Sequence, residues 1–380
     1  MLALHAELDA LPQQPAHRGH PRHWIVRAKR ALDAFGHARP DAAGFFRRAN
    51  PYPKPFRHIW LRTEDGVDVA AWYGPPPGET SETSRRRSTA KPAAGTAAGR
   101  PKTPKASGAA AAVIDPDAPK FGLIIVPGMF STKDDTIHKR RAIRIWRHWH
   151  IPVIAIDMRA FGESKGIATG GWKEALDIHA AARFLVEEAG VERVGVIAES
   201  MGGAAMLNAL AHDAQGGTNF LRGGALCFSA FVDVRDAVLH ISVEPPKDDP
   251  FHIQWAAFSR MLRFRSHGAY DNFRDYLGDA ARVNGFDGFE ELVEVANPKW
   301  KTHLIDQPTL LVHAIDDPVV PVRHARRMER YARDRENIQV ITTAWGGHTH
   351  FEGMDPYWFW EVTRRFFSAV NEVELAQIGT

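Results

Sequence analysis

"GVIAESMGG", residues 195–203, decides how this chain is read. It places Ser200 at the end of the apolar run "RVGVIA" and just before "MGGAAMLNALAHD", a stretch compatible with a helix. A sharp strand-to-helix turn at that point lifts a serine hydroxyl above the edge of a sheet. Small residues two positions to either side, Ala198 and Gly202, suit such a turn because strand and helix backbones crowd there; Ala198 stands where the usual pattern has glycine. A serine hydroxyl is a weak nucleophile at neutral pH. It needs a base within hydrogen-bonding reach and a third group to orient that base.

Outward from the serine, short β-favouring runs alternate with helical segments: "GLIIV", "IPVIAID", "RVGVIA", "GALCFS", "TLLVHA" and "NIQVITT". Runs this uniformly apolar fit strands buried on both faces, so the pattern predicts a mainly parallel sheet with helices on both sides. "HIWLRTEDGVDVAAWY" predicts a hairpin turning at Glu64-Asp65-Gly66. The remaining boundaries follow from breaks in the alternation. Residues 1–55, rich in His, Arg and Pro, are expected to be an N-terminal arm; 56–239 the first part of the core; and 75–120, poor in large apolar residues, a disordered insertion within it. Residues 240–300 are a helical cap and 301–380 the second part of the core. "IDDPVVP" sets Asp316 and Asp317 after one strand, and "AWGGHTHFEG" sets His348 and His350 after the next. Carboxyl ends of parallel strands are where open α/β sheets gather their ligands.

The order Ser, Asp, His, each after its own strand, resembles the α/β-hydrolase family over roughly residues 56–370. "VPGMF" is similar to that family's oxyanion loop, "DMRAFGES" to the turn after its fourth strand, "AESMGG" to its nucleophile elbow, and "DDPVVP" and "GGHTHF" to its acid and base loops. The stretch 285–321 looks most like a branch of YheT-like hydrolases. The resemblance implies an eight-stranded α/β-hydrolase fold with a helical cap. It implies Ser200 as nucleophile, His348 as general base and then acid, and Asp317 as the carboxylate that orients the imidazole. Asp316 is the rival acid, but Asp317 stands four residues before Pro321, as the family pattern has it; His350, the rival base, is read as a wall residue. Backbone N–H groups of Met129 and Met201 are the implied oxyanion donors, and Pro127 stands where many relatives have histidine. Asp157, Arg159 and Ser164 are read as a polar structural turn, and Glu199 as a hydrogen-bonded or solvated carboxylate.

Phe130, Trp255 and Phe258 are the candidates to line a substrate site, the cap aromatics otherwise gluing cap to core. The expected reaction is hydrolysis of a carboxylic ester with an apolar acyl chain through an acyl-enzyme, as in serine esterases and lipases. An acyltransferase would use the same residues, and a catalytically silent relative would bind lipid or protein in the cleft. Composition narrows the partners. Of 380 residues, 48 are basic and 45 acidic, a near balance that implies no nucleic acid. The one cysteine, Cys227, allows no intrachain disulfide and fits a reducing, cytoplasmic compartment. Glu7 and Asp9 argue against an export signal, and no apolar run approaches the roughly 20 residues of a spanning helix, so membrane contact would be peripheral. The histidines of "IWRHWH" lie two apart, off a shared helical face, so no metal site is expected, and no glycine-rich phosphate loop implies an organic cofactor. The sequence sets no oligomeric state.

Overall fold

The run "FGLIIV" becomes strand β3 (Phe121–Val126), and its successive side chains enter two different cores. Leu123 and Ile125 face one layer of helices, while Ile124 and Val126 face the other. With no face left for water, the strand has no polar alternation, which is why it reads as continuous apolar sequence. The computed structural model describes residues 52–76, 121–249, 251–266 and 268–379.

The other strands are β1 (Arg57–Arg62), β2 (Asp68–Gly74), β4 (Val153–Ile156), β5 (Arg193–Glu199), β6 (Ala225–Phe228), β7 (Thr309–Ala314) and β8 (Ile338–Thr343). Together they make an eight-stranded sheet in the order β1-β2-β4-β3-β5-β6-β7-β8. β1 and β2 form the expected hairpin, and β2 runs antiparallel to β4 with Gly74 opposite Val153. The remaining pairs are parallel. In one row across the sheet Ile125, Ile197, Leu226 and Leu310 are register partners, all facing the same core.

Helices α1 (Thr136–Trp149), α2 (Glu174–Glu187) and α3 (Met201–Gly216) follow β3, β4 and β5. Between β6 and β7 come α4 (Val234–Ser242), α5 (His252–Arg265), α6 (Phe273–Val283), α7 (Phe289–Ala296) and a 3-10 helix (Pro298–Leu304). α8 (Arg323–Tyr331), α9 (Phe351–Met354) and α10 (Pro356–Asn371) complete the order. α1 and α10 bury Ile145, Trp149, Trp358 and Phe366 on one face of the sheet, and α2 and α3 bury Ile178, Leu185 and Leu207 on the other. None of these helices is long and apolar enough to cross a membrane.

The excursion between β6 and β7 is helical, as expected, but its limits differ from 240 and 300, each of which cuts a helix. The true ends are tied to each other: Asp233 caps α4 by accepting from Asp236 N, and Asn297 Oδ1 accepts from Val234 N at 2.6 Å. Met261, Leu262, Phe273 and Leu277 join the core beneath, whereas Phe264 remains on the surface at 45% exposed. Of the expected N-terminal arm, 1–51 lie outside the described residues. Tyr52 is buried, stacks on Trp72 at 4.8 Å and donates to Lys133 O at 2.6 Å, so the core begins before residue 56. Of the expected insertion, 77–120 likewise lie outside the described residues.

"DMRAFGES" folds as a polar brace. Asp157 accepts from Lys133 N at 2.7 Å and from Glu163 N at 2.9 Å, and Ser164 Oγ donates to the Asp157 carbonyl at 2.7 Å. Arg159 joins Asp65 of the hairpin turn to Asp177 of α2. Asp134, Asp157 and Glu163 bring three carboxylates together, and the Lys133 ammonium sits among them at 2.7, 2.9 and 2.8 Å. Burial opposes that ammonium's charge, but Asp157 and Asp134 outweigh it and hold Lys133 above the ordinary lysine range. The cluster thus contains its own cation.

A hydrogen bond from His58, helped by Lys133, lowers the Glu163 carboxyl from 4.5 to about 2. A carboxyl depressed in the folded state stabilises fully above its unfolded value, and that contribution is lost as pH falls from 4.5 through about 2. Glu163→Gln is therefore expected to flatten the decline of the urea midpoint across that window. Parallel curves for variant and wild type would remove the assignment.

Candidate active site

Ser200 follows the last residue of β5 with φ 53° and ψ −120°, a conformation a non-glycine residue adopts only when its surroundings enforce it. Ser200 N donates to Phe228 O at 3.0 Å, and the Ser200 carbonyl accepts from Gly203 N at 2.9 Å as α3 begins. The small residue at 202 is required by a close approach: a Cβ there would lie 2.3 Å from the Pro127 carbonyl oxygen. A Cβ on Gly128 would lie 3.1 Å from that of Ser200. The loop after β3 is thus pressed against the serine.

Loops from β7 and β8 reach the same edge of the sheet. His348 Nε2 lies 3.0 Å from Ser200 Oγ, and His348 Nδ1 lies 3.0 Å from Asp317 Oδ2. With Nδ1–H donating to the carboxylate, Nε2 is left to accept the serine proton. Asp317 is buried, and its Oδ1 accepts from Val319 N and Val320 N at 2.9 Å each. Burial pushes its carboxyl up, but the facing His348, with His313 and the Val320 amide, more than offsets this and holds it below the ordinary range. His313, held low by burial, fixes the loop through the Val320 carbonyl at 2.7 Å.

The rivals occupy other places. Asp316 Oδ1 accepts from Gly347 N at 2.8 Å, pinning the acid loop to the base loop. His350 precedes α9, its carbonyl accepting from Gly353 N and Met354 N. It is His348 that meets Ser200.

Met201 opens α3, and Met129 lies in the loop against Ser200. Among the described residues neither backbone N–H donates to a protein acceptor. Beside this loop is an apolar crevice of about 240 Å³, counting space open to solvent, lined by Met129, Phe130, Ile241, Phe258, Leu262 and Phe273, with Ser259 and Asn272. The rings of Phe130 and Phe258 lie 6.2 Å apart in it. Trp255 does not line it. It lies one turn earlier on α5, stacked on His252 at 6.1 Å.

Sequence reading missed the charged bracket behind these loops. Glu199 is hydrogen-bonded rather than solvated, but to a distant partner: it is 4% exposed and accepts from Arg141 Nη1 at 2.7 Å. Arg141 Nε donates to Glu352 Oε2 at 2.8 Å. Nothing in "HKRRAIRIW" distinguishes Arg141 from its neighbours except its helical phase, which turns it inward.

Residues 123–357, more than half of the chain, match the alpha/beta hydrolase family. No curated protein matches. Among solved structures, the chain resembles the esterase Pf2001 of Pyrococcus furiosus at 15% identity and TM-score 0.52, over 85% of this chain and 94% of that one. It resembles a 2,6-dihydroxy-pseudo-oxynicotine hydrolase at 14% identity and TM-score 0.55, over 89% and 75%. An acylaminoacyl peptidase aligns at 12% identity and TM-score 0.50, over 86% of this chain and 42% of the peptidase. At such identities the likeness extends to the fold alone. Family match, sheet order and loop positions agree: the chain belongs to the alpha/beta hydrolase family.

Proposed function

We propose that the protein is a serine hydrolase that cleaves carboxylic esters through an acyl-enzyme, with Ser200, His348 and Asp317 as its triad. The supporting observation is the unbroken relay from Ser200 Oγ through the imidazole to Asp317, with 3.0 Å at each contact. Ser200 Oγ attacks the ester carbonyl as its proton passes to His348 Nε2. The tetrahedral intermediate collapses, the C–O bond to the alcohol breaks, and His348 returns the proton to the departing oxygen. Water then repeats the sequence on the acyl-enzyme, releasing the acid and restoring Ser200. Met201 N–H and Met129 N–H meet the charge that develops on the carbonyl oxygen. Losing one such donor costs about 3 kcal/mol of transition-state stabilisation.

The apolar lining beside Met129 favours an apolar acyl group. Each buried methylene contributes about 0.8 kcal/mol, so kcat/KM for aryl esters is expected to rise about fourfold per carbon from acetate until the crevice is filled. A preference for acetate over octanoate would remove the acyl-site assignment. Fluorophosphonate labelling of wild type, absent in Ser200→Ala, tests the reaction class. Lack of a serine-dependent adduct would favour a binding role, and ester formation with added alcohol would favour acyl transfer.

A further inference from the structure

We propose that Arg141 is a positioning residue for this site, its guanidinium setting the distance between the loop that carries Ser200 and the loop that carries His348. The proposal rests on the hydrolase reading above. Arg141 lies on α1, outside both loops, with its side chain 1% exposed. Nη1 meets Glu199, which directly precedes Ser200, at 2.7 Å. Nε meets Glu352, four residues beyond His348, at 2.8 Å. The same helix reaches the third loop: His138 Nε2 lies 3.0 Å from Ser131 Oγ, and Ser131 N donates to the Gly128 carbonyl at 3.2 Å. One rigid element therefore holds the loops after β3, β5 and β8.

Arg141 is 58 residues from Glu199 and 211 from Glu352, so local chain geometry cannot fix this arrangement. The guanidinium can. Its donors form a planar fork with fixed angles, and its Cζ lies 4.6 Å from the Phe359 ring, which confines the plane. Stability alone is a weak reason for the bracket, because buried ion triads are often replaceable by apolar residues at no cost to folding. Position is the better reason. Displacing a reacting group by about 1 Å can cost on the order of a hundredfold in rate.

The test measures aryl-ester kcat and KM, fluorophosphonate labelling rate and Tm for wild type, Glu352→Gln, Arg141→Lys and Arg141→Met. Glu352→Gln keeps shape and one acceptor while removing the charge. It is expected to lower kcat and labelling rate about ten- to a hundredfold with KM within about twofold, while the protein stays folded at assay temperature. Arg141→Lys keeps the charge without the fork, so its kcat is expected to fall between wild type and Arg141→Met. If Arg141→Met fails to fold, the two conservative variants decide. Wild-type kcat in both, or kcat losses that track the unfolded fraction, would overturn the positioning role and leave the triad standing. An unlabelled wild type would overturn the hydrolase reading and this proposal with it.

Discussion

Ser200→Ala is expected to lower kcat by about 10⁵- to 10⁶-fold and to abolish fluorophosphonate labelling, with Tm within a few degrees of wild type. Alanine keeps the Cβ, so the turn and its φ of 53° pose no new steric problem. What disappears is the oxygen 3.0 Å from His348 Nε2. The remaining rate comes from the oxyanion donors and substrate binding, which persist without a nucleophile. Purified variant assayed on the best aryl ester gives the number directly. Retention of more than about one per cent of wild-type kcat would mean that Ser200 is not the attacking group.

Asp317→Asn is expected to lower kcat by about 10⁴-fold at neutral pH, whereas Asp316→Asn should cost less than about tenfold. The neighbouring carboxylates separate because their partners differ. Asp317 Oδ1 accepts from two amides, Val319 and Val320, which asparagine's oxygen can still satisfy. Its amide nitrogen then faces His348 Nδ1 and forces the proton onto Nε2, so the imidazole presents a donor where Ser200 needs an acceptor. Asp316 accepts only the Gly347 N–H among these contacts, and a neutral oxygen can do that. Steady-state kinetics on both variants decide the matter. Equal losses would remove the distinction between them.

The strands, the hairpin and the turn at Ser200 were legible because each is written locally, as continuous apolar sequence or as a small residue at a crowded position. Asp317 and His348 were legible because each follows its own strand, and a parallel sheet carries such ends to one edge. Two kinds of feature were not. The limits of the cap depend on Asn297 reaching Val234, a contact across 63 positions that leaves no periodic trace. Arg141 lies among several basic residues, and the two carboxylates that neutralise it come from distant segments.

Because β2 runs against β4, the chain leaves the sheet after Gly74 at the level where β4 starts, and it re-enters at Phe121, opposite Arg193 at the start of β5. Ser200 stands at the far end of β5, about 20 Å along the strand direction. Both anchor points of residues 77–120 therefore lie on the side of the sheet remote from the reacting groups. A change in the length of that stretch therefore pulls first on the ends of β2 and β3 away from the serine, whereas an insertion in the loop after β3 would push on Ser200 directly.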